Sequence, residues 1–150
     1  MNRSQRMKRI VSLNEMQKSV ASQKLAGTRG RHDGNLKKLE EFRRYRQEYA
    51  RVLQNPGQAM SAAAARDTRV FLGQLERTIT ALEAMVTRSE REYADDLMAW
   101  KREAQRANVL VDILARCVRG EDTDREGRLQ REIDDRRVEM AGVGANSFAH

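Results

Sequence analysis

Histidine, cysteine and paired carboxylates are the side chains that most often do chemistry, and this sequence places few of them where they could. The histidines are His32 and His150, and the one cysteine is Cys117. A zinc site draws its ligands from Cys, His, Asp or Glu at close, recurring spacings, and neither histidine has such a set around it. The adjacent acids Asp95-Asp96 and Asp134-Asp135 fall in charged, helix-forming stretches. They read as solvated helix surface rather than as a general acid–base pair. No Gly-Lys dipeptide occurs, so there is no P-loop, and Gly27, Gly30 and Gly34 are not spaced as a dinucleotide-binding fingerprint. A lone cysteine cannot form an intrachain disulfide, and Cys117 reads as a small packing residue. The expectation is a non-enzyme with no metal and no cofactor, whose function is contact.

The elements that would make such contacts are helices. Charged residues make up 34% of the 150 residues, aromatics 5%, and there is one proline, which leaves little for a thick globular core. Leu72, Ile79, Val86, Tyr93, Trp100, Ala107 and Leu114 recur at seven-residue steps. A companion row lies at +3 first (Leu75, Leu82) and at +4 later (Leu97, Ala104, Val111, Val118). This is the stripe of a long helix burying a narrow seam against a partner. The change from +3 to +4 predicts a stripe drifting around a nearly straight helix. Upstream, Leu39, Phe42, Tyr49 and Leu53 keep similar spacing, with Arg46 at one seam position. Near the N-terminus, Met7, Ile10, Leu13, Met16 and Val20 sit three or four apart on one face.

Asn55-Pro56-Gly57 separates the two stretches, because proline disfavours helical geometry in the residue before it and glycine turns freely. Ser61 is placed to cap the following helix. The fold class expected is all-α, a long antiparallel two-helix coiled-coil hairpin with a C-terminal helical overhang. Residues 1–140 form one hairpin: helix 1 at about 4–54, a turn at about 55–61, and helix 2 at about 62–140. A break is expected near 120, at Gly120-Glu121-Asp122-Thr123-Asp124, and a disordered tail at 141–150. Residues 26–35 hold Gly27, Gly30 and Gly34, each costing about 1 kcal/mol in a helix, which predicts a kink, frayed region or loop. There is no signal-peptide pattern and no apolar run near the ~20 residues of a membrane span, so a cytoplasmic protein is expected.

Two surfaces are candidates for partners. Residues 1–31 carry eight Lys/Arg (Arg3, Arg6, Lys8, Arg9, Lys18, Lys24, Arg29 and Arg31) against the single acid Glu15, while residues 32–150 balance at 21 of each. The basic end reads either as a solvated helix start or as a surface for something acidic. The second surface is aromatic. Phe42, Tyr45 and Tyr49 precede the turn, and Phe71 and Leu75 follow it as an i, i+4 pair. These cannot all sit at the centre of one narrow seam, so some aromatic area should be exposed for a partner.

The order Tyr45-Arg46-Gln47-Glu48-Tyr49, turn, Phe71-Leu72-Gly73-Gln74-Leu75-Glu76, Trp100-Lys101-Arg102 resembles the FliJ family of the bacterial flagellar type III export apparatus. The late segment Leu129-Gln130-Arg131-Glu132-Ile133-Asp134-Asp135 is similar too. The resemblance covers residues 36–140, and the glycines of residues 1–35 depart from it. It implies a stalk-like coiled coil that inserts into the hexameric export ATPase ring, engages the cytoplasmic domain of the export gate membrane protein and handles export chaperones. Such a protein would sit at the cytoplasmic face of the cell membrane, at the flagellar base, and serve motility. By the resemblance, Phe42, Tyr45, Tyr49, Phe71 and Leu75 would face the gate. Arg3, Arg6, Lys8, Arg9, Ile10 and Leu13 would lie at the ATPase-facing end. The seam would run through Leu39, Leu53, Leu72, Ile79, Val86, Tyr93, Trp100 and Leu114. An injectisome stalk homologue has the same shape. A basic adaptor for nucleic acid or ribosomes is the other alternative, but no aromatics interleave the N-terminal basic residues for base stacking, so no nucleic acid is expected.

Overall fold

The structure is a computed structural model, and it describes residues 2–55 and 60–147. It is all-α: helix α1 spans Arg3–Gln54 and helix α2 spans Ala62–Ser147. The two long helices pack against each other as a helical hairpin. The Pro56-Gly57 step lies outside the described residues.

Both helix starts are capped by side chains that satisfy otherwise orphaned N–H groups. Asn2 Oδ1 accepts from the Gln5 N–H at 2.9 Å, and Gln5 Oε1 accepts from the Asn2 N–H at 3.2 Å. This is a reciprocal capping box. At α2, Ser61 Oγ accepts from the Ala64 N–H at 3.1 Å, and the Ser61 carbonyl accepts from the Ala65 N–H at 3.0 Å.

Burial follows an unbroken alternation of three- and four-residue steps. On α1 the covered positions include Ser4, Met7, Val11, Asn14, Lys18, Ala21, Leu25, Thr28, His32, Asn35, Leu39, Phe42 and Arg46. On α2 they include Leu72, Leu75, Ile79, Leu82, Val86, Ser89, Tyr93, Asp96, Trp100, Glu103, Ala107, Leu110, Leu114, Cys117 and Glu121. The companion row of α2 therefore stays at +3 throughout, through Ser89, Asp96 and Cys117, rather than moving to +4. Val111 and Val118 are exposed, and Leu97 and Ala104 only flank the seam. A helix underwound to 3.5 residues per turn keeps a seven-residue seam on its partner, so the expected drift does not occur.

The chain forms two compact units. In the unit Lys18–Glu103, the core is Leu39, Ile79 and Leu82, with Phe42 and Val86 packed against it. Leu72, Tyr93 and Trp100 are half-buried on the same seam, as is Leu53. Toward Thr28 the seam turns polar. The Thr28 hydroxyl donates within its own helix, at 3.0 Å to the Leu25 carbonyl. His32 Nδ1 lies 2.9 Å from Ser89 Oγ, and its ring stacks on Tyr93 at 6.2 Å. Asp96, almost covered, pairs with Lys24 at 3.7 Å.

The unit formed by Met1–Gln17 and Ala104–His150 buries Ser4, Asn14 and Ala107 and half-buries Met7, Val11, Leu110, Leu114 and Cys117. The apolar face of Ile10, Leu13 and Met16 is open, at 46%, 57% and 65% exposed, and Val20, in the Lys18–Glu103 unit, is 64% exposed. The seam lies one position along from Ile10 and Leu13, because the partner's register, not the local apolar count, selects the covered stripe.

Two expected interruptions are absent. Residues 26–35 are helical throughout, since a long helix tolerates isolated glycines once propagation is cooperative and packing holds its ends. No break occurs near 120 either. There the Thr123 hydroxyl donates to the Arg119 carbonyl at 2.9 Å, and Arg125 meets Asp122 at 3.8 Å. Farther on, Gln130 Nε2 donates to Asp134 at 3.1 Å. Such side-chain links support an exposed helix. The helix also continues through residues 141–147, where a disordered tail was expected; residues 148–150 of that stretch lie outside the described residues.

Candidate docking surfaces

The aromatic surface sits in the Lys18–Glu103 unit, on the last turns of α1 and the first turns of α2. Tyr49 and Phe71 meet edge to face with ring centroids 4.8 Å apart. Phe42 and Tyr45 do the same at 5.9 Å. Tyr45, Tyr49 and Phe71 remain 39%, 40% and 40% exposed, whereas Phe42 leans on the core. Leu75 is 4% exposed, so it presents almost no area to a partner. Edge-to-face pairs hold these rings in place without burying them. The Tyr45 hydroxyl donates to Glu41 at 2.9 Å. That hydrogen bond, with the charge of the same carboxylate, raises the Tyr45 pKa, so the phenol stays a neutral donor.

A separate shallow open hollow, lined by none of these aromatic residues, has Glu40, Arg43, Arg44, Arg46 and Glu76 in its walls. Arg43 reaches Glu83 across the seam at 3.5 Å, and Arg44 reaches Glu40 along its own helix at 3.6 Å. Exposed pairs of this kind are worth little individually.

The basic surface belongs to the other unit. Arg3, Arg6, Lys8 and Arg9 are exposed alongside Ile10 and Leu13. The start of α1 is tied to α2 through Glu121, whose carboxylate accepts from the Ser4 N–H at 2.9 Å. Hydrogen bonding from Ser4 lowers the Glu121 pKa. The stabilisation is therefore present above the ordinary glutamate range and is lost as pH falls through the depressed value. Glu121→Ala is expected to speed amide exchange over residues 4–8 at neutral pH. The difference from the parent should vanish once acid has protonated Glu121.

His32 is a residue that periodicity alone did not flag. It stands at a seam position among polar neighbours, and the signal available was its place seven residues before Leu39. Among the described residues no group of three or more His, Cys, Asp or Glu is placed to hold a metal ion, and no helix is long and apolar enough to cross a membrane.

The profile of the family described as Flagellar FliJ protein matches residues 3–142. Neither the curated proteins nor the solved structures gave a match. A match of this length takes in α1 whole and nearly all of α2, and on that basis the chain belongs to the FliJ family, coiled-coil proteins of flagellar protein export.

Proposed function

We propose that this chain is a non-enzymatic, stalk-like component of flagellar type III export. In this reading it links the hexameric export ATPase to the cytoplasmic domain of the export gate, handles export chaperones, and works peripherally at the cytoplasmic face of the membrane. The observation that carries the reading is the exposed cluster of Tyr45, Tyr49 and Phe71, held edge to face in a protein whose aromatic content is otherwise small. Rigid, half-exposed aromatics are typical binding anchors. They fit the gate-facing role. Phe42, packed on the core, meets Tyr45 from that side, and the buried Leu75 is not part of the exposed area. The exposed Arg3, Arg6, Lys8, Arg9, Ile10 and Leu13 offer the charge and apolar contact that an ATPase-facing end would need.

Changing Tyr45, Tyr49 and Phe71 together to Ala is expected to weaken binding to the purified cytoplasmic gate domain at least tenfold, at about 1.4 kcal/mol per factor of ten. Motility should fall while helicity by circular dichroism stays near the parent's. Unchanged gate binding in a folded triple variant would refute the assignment. If the variant loses its helicity, Tyr45→Ala alone decides, because among the described residues the ring and hydrogen-bond contacts shown for Tyr45 are those with Phe42 and Glu41.

A further inference from the structure

The seam positions define the flanks of each helix. In an antiparallel pair the positions just before each first seam residue face one another on one side of the hairpin. Arg31 with Glu92, 3.9 Å apart, are such a pair. In the unit built from the two chain ends, this flank carries Arg3, Ile10 and Leu13 from α1 and Val109, Ile113 and Arg116 from α2. One hollow there is lined by Arg3 from α1 and by Ile113 and Arg116 from α2, which sets both helices' residues on the same side. The apolar members are open to solvent: Ile10 at 46%, Leu13 at 57%, Val109 at 56% and Ile113 at 36%. Arg6 and Arg106 fall on the same flank by the seven-residue register. Its basic members are thus four arginines, and the hollow is also lined by Glu121, which is engaged by Ser4, and by Asp124.

We infer that this arginine-rimmed apolar flank is the seat of a third helix, supplied by a partner protein and carrying an apolar stripe edged with Asp and Glu. The inference deepens the ATPase-facing role proposed for Arg3–Leu13 and rests on it only for which protein carries the helix. The exposed Ile10/Leu13 and Val109/Ile113 stand on adjacent helices along one flank, and a third helix would cover them by ridge-into-groove packing. Bidentate arginine–carboxylate pairing would fix its register. A second copy of this chain would set arginines against arginines, and like charges across an interface are disfavoured.

The probe is a designed 21-residue acidic amphipathic helical peptide, with a scrambled peptide and phosphatidylglycerol vesicles as the other arms. The full-length protein is expected to bind the acidic peptide saturably. Val109→Asp with Ile113→Asp should weaken it at least tenfold, and Val111→Asp with Val118→Asp, on the opposite flank, less than twofold. Circular dichroism checks that each pair stays folded. Equal affinity for the scrambled peptide, vesicle binding without peptide binding, or loss from the opposite-flank pair would each overturn the inference. The purified hexameric export ATPase is the parallel arm. ATPase binding indifferent to V109D/I113D overturns the assignment of the third helix to the ATPase and leaves the stalk reading standing. Peptide binding without ATPase binding leaves the third-helix inference standing and overturns the stalk reading.

Discussion

Ile79→Ala is expected to be the most damaging single truncation in the chain, costing about 2–5 kcal/mol. Ile79 is the most completely buried large side chain, at 2% exposure, and with Leu39 and Leu82 it makes up the whole buried apolar cluster. A two-helix seam has no second layer to collapse into the space, so the cavity term stays near its full value. Phe42 and Val86, which lean on the cluster, would lose contacts as well. For a chain of this size a loss in that range lowers Tm by on the order of 10 °C. The measurement is thermal unfolding followed by helix content, with the exposed Val70→Ala as control. A Tm for Ile79→Ala within 2 °C of the parent would show that the cluster does not hold the hairpin together.

The largest gain in stability should come from Gly27, Gly30 and Gly34. All three lie inside α1 with ordinary helical backbone and no positive φ, and a Cβ added at any of them meets nothing within 4 Å. Alanine at each site should add about 0.5–1 kcal/mol by reducing the freedom of the unfolded chain and raising helix propensity. The triple variant is thus expected to gain about 1.5–3 kcal/mol if the sites add independently. They are spaced three and four residues apart, so some coupling between them is expected. Chemical denaturation reads this as a higher midpoint at unchanged slope. A triple variant no more stable than the parent would mean that the glycines serve packing in the isolated protein. If the variant is more stable yet impairs motility, the glycines are being kept for a partner's close approach.

The hairpin was legible because its signals are local. One Asn-Pro-Gly step stands between two long helix-favouring stretches, Ser61 caps the second, and the seven-step ladder from Leu72 to Leu114 marks the buried side of α2. The flank residues were harder to read for a physical reason. At the N-terminal end the more apolar stripe, Ile10, Leu13, Met16 and Val20, is the exposed one, and the buried stripe contains Ser4, Asn14, Lys18 and Thr28. Hydrophobic counting cannot tell a seam from a docking face when the seam is polar and the face is apolar. The polar stretch of α2 was masked for the same cause: Asp96 and Glu103 hold seam positions, and the apolar Leu97 and Ala104 stand one residue after them. Gly120 and the 26–35 segment misled because propensity is a weak prior in a helix whose neighbours on both sides are packed. At the aromatic surface, spacing showed that Phe42, Tyr45, Tyr49, Phe71 and Leu75 exceed what one seam can hold. Which of them stay outside depended on packing, and the structure leaves Tyr45, Tyr49 and Phe71 there while taking Leu75 inside.

The stalk reading meets its most direct test in a binding measurement between this purified protein and the purified hexameric flagellar export ATPase of the same bacterium. It is run across a salt series and repeated with Arg3, Arg6, Lys8 and Arg9 reversed to Glu. The expected result is a saturable complex that weakens as salt rises, because exposed charges are screened within about 10 Å at 0.1 M. The charge-reversed protein should bind at least tenfold more weakly, and no nucleotide should be turned over by this chain alone. No complex at low salt, or a complex indifferent to both salt and charge reversal while the protein instead binds RNA tightly, would contradict the account.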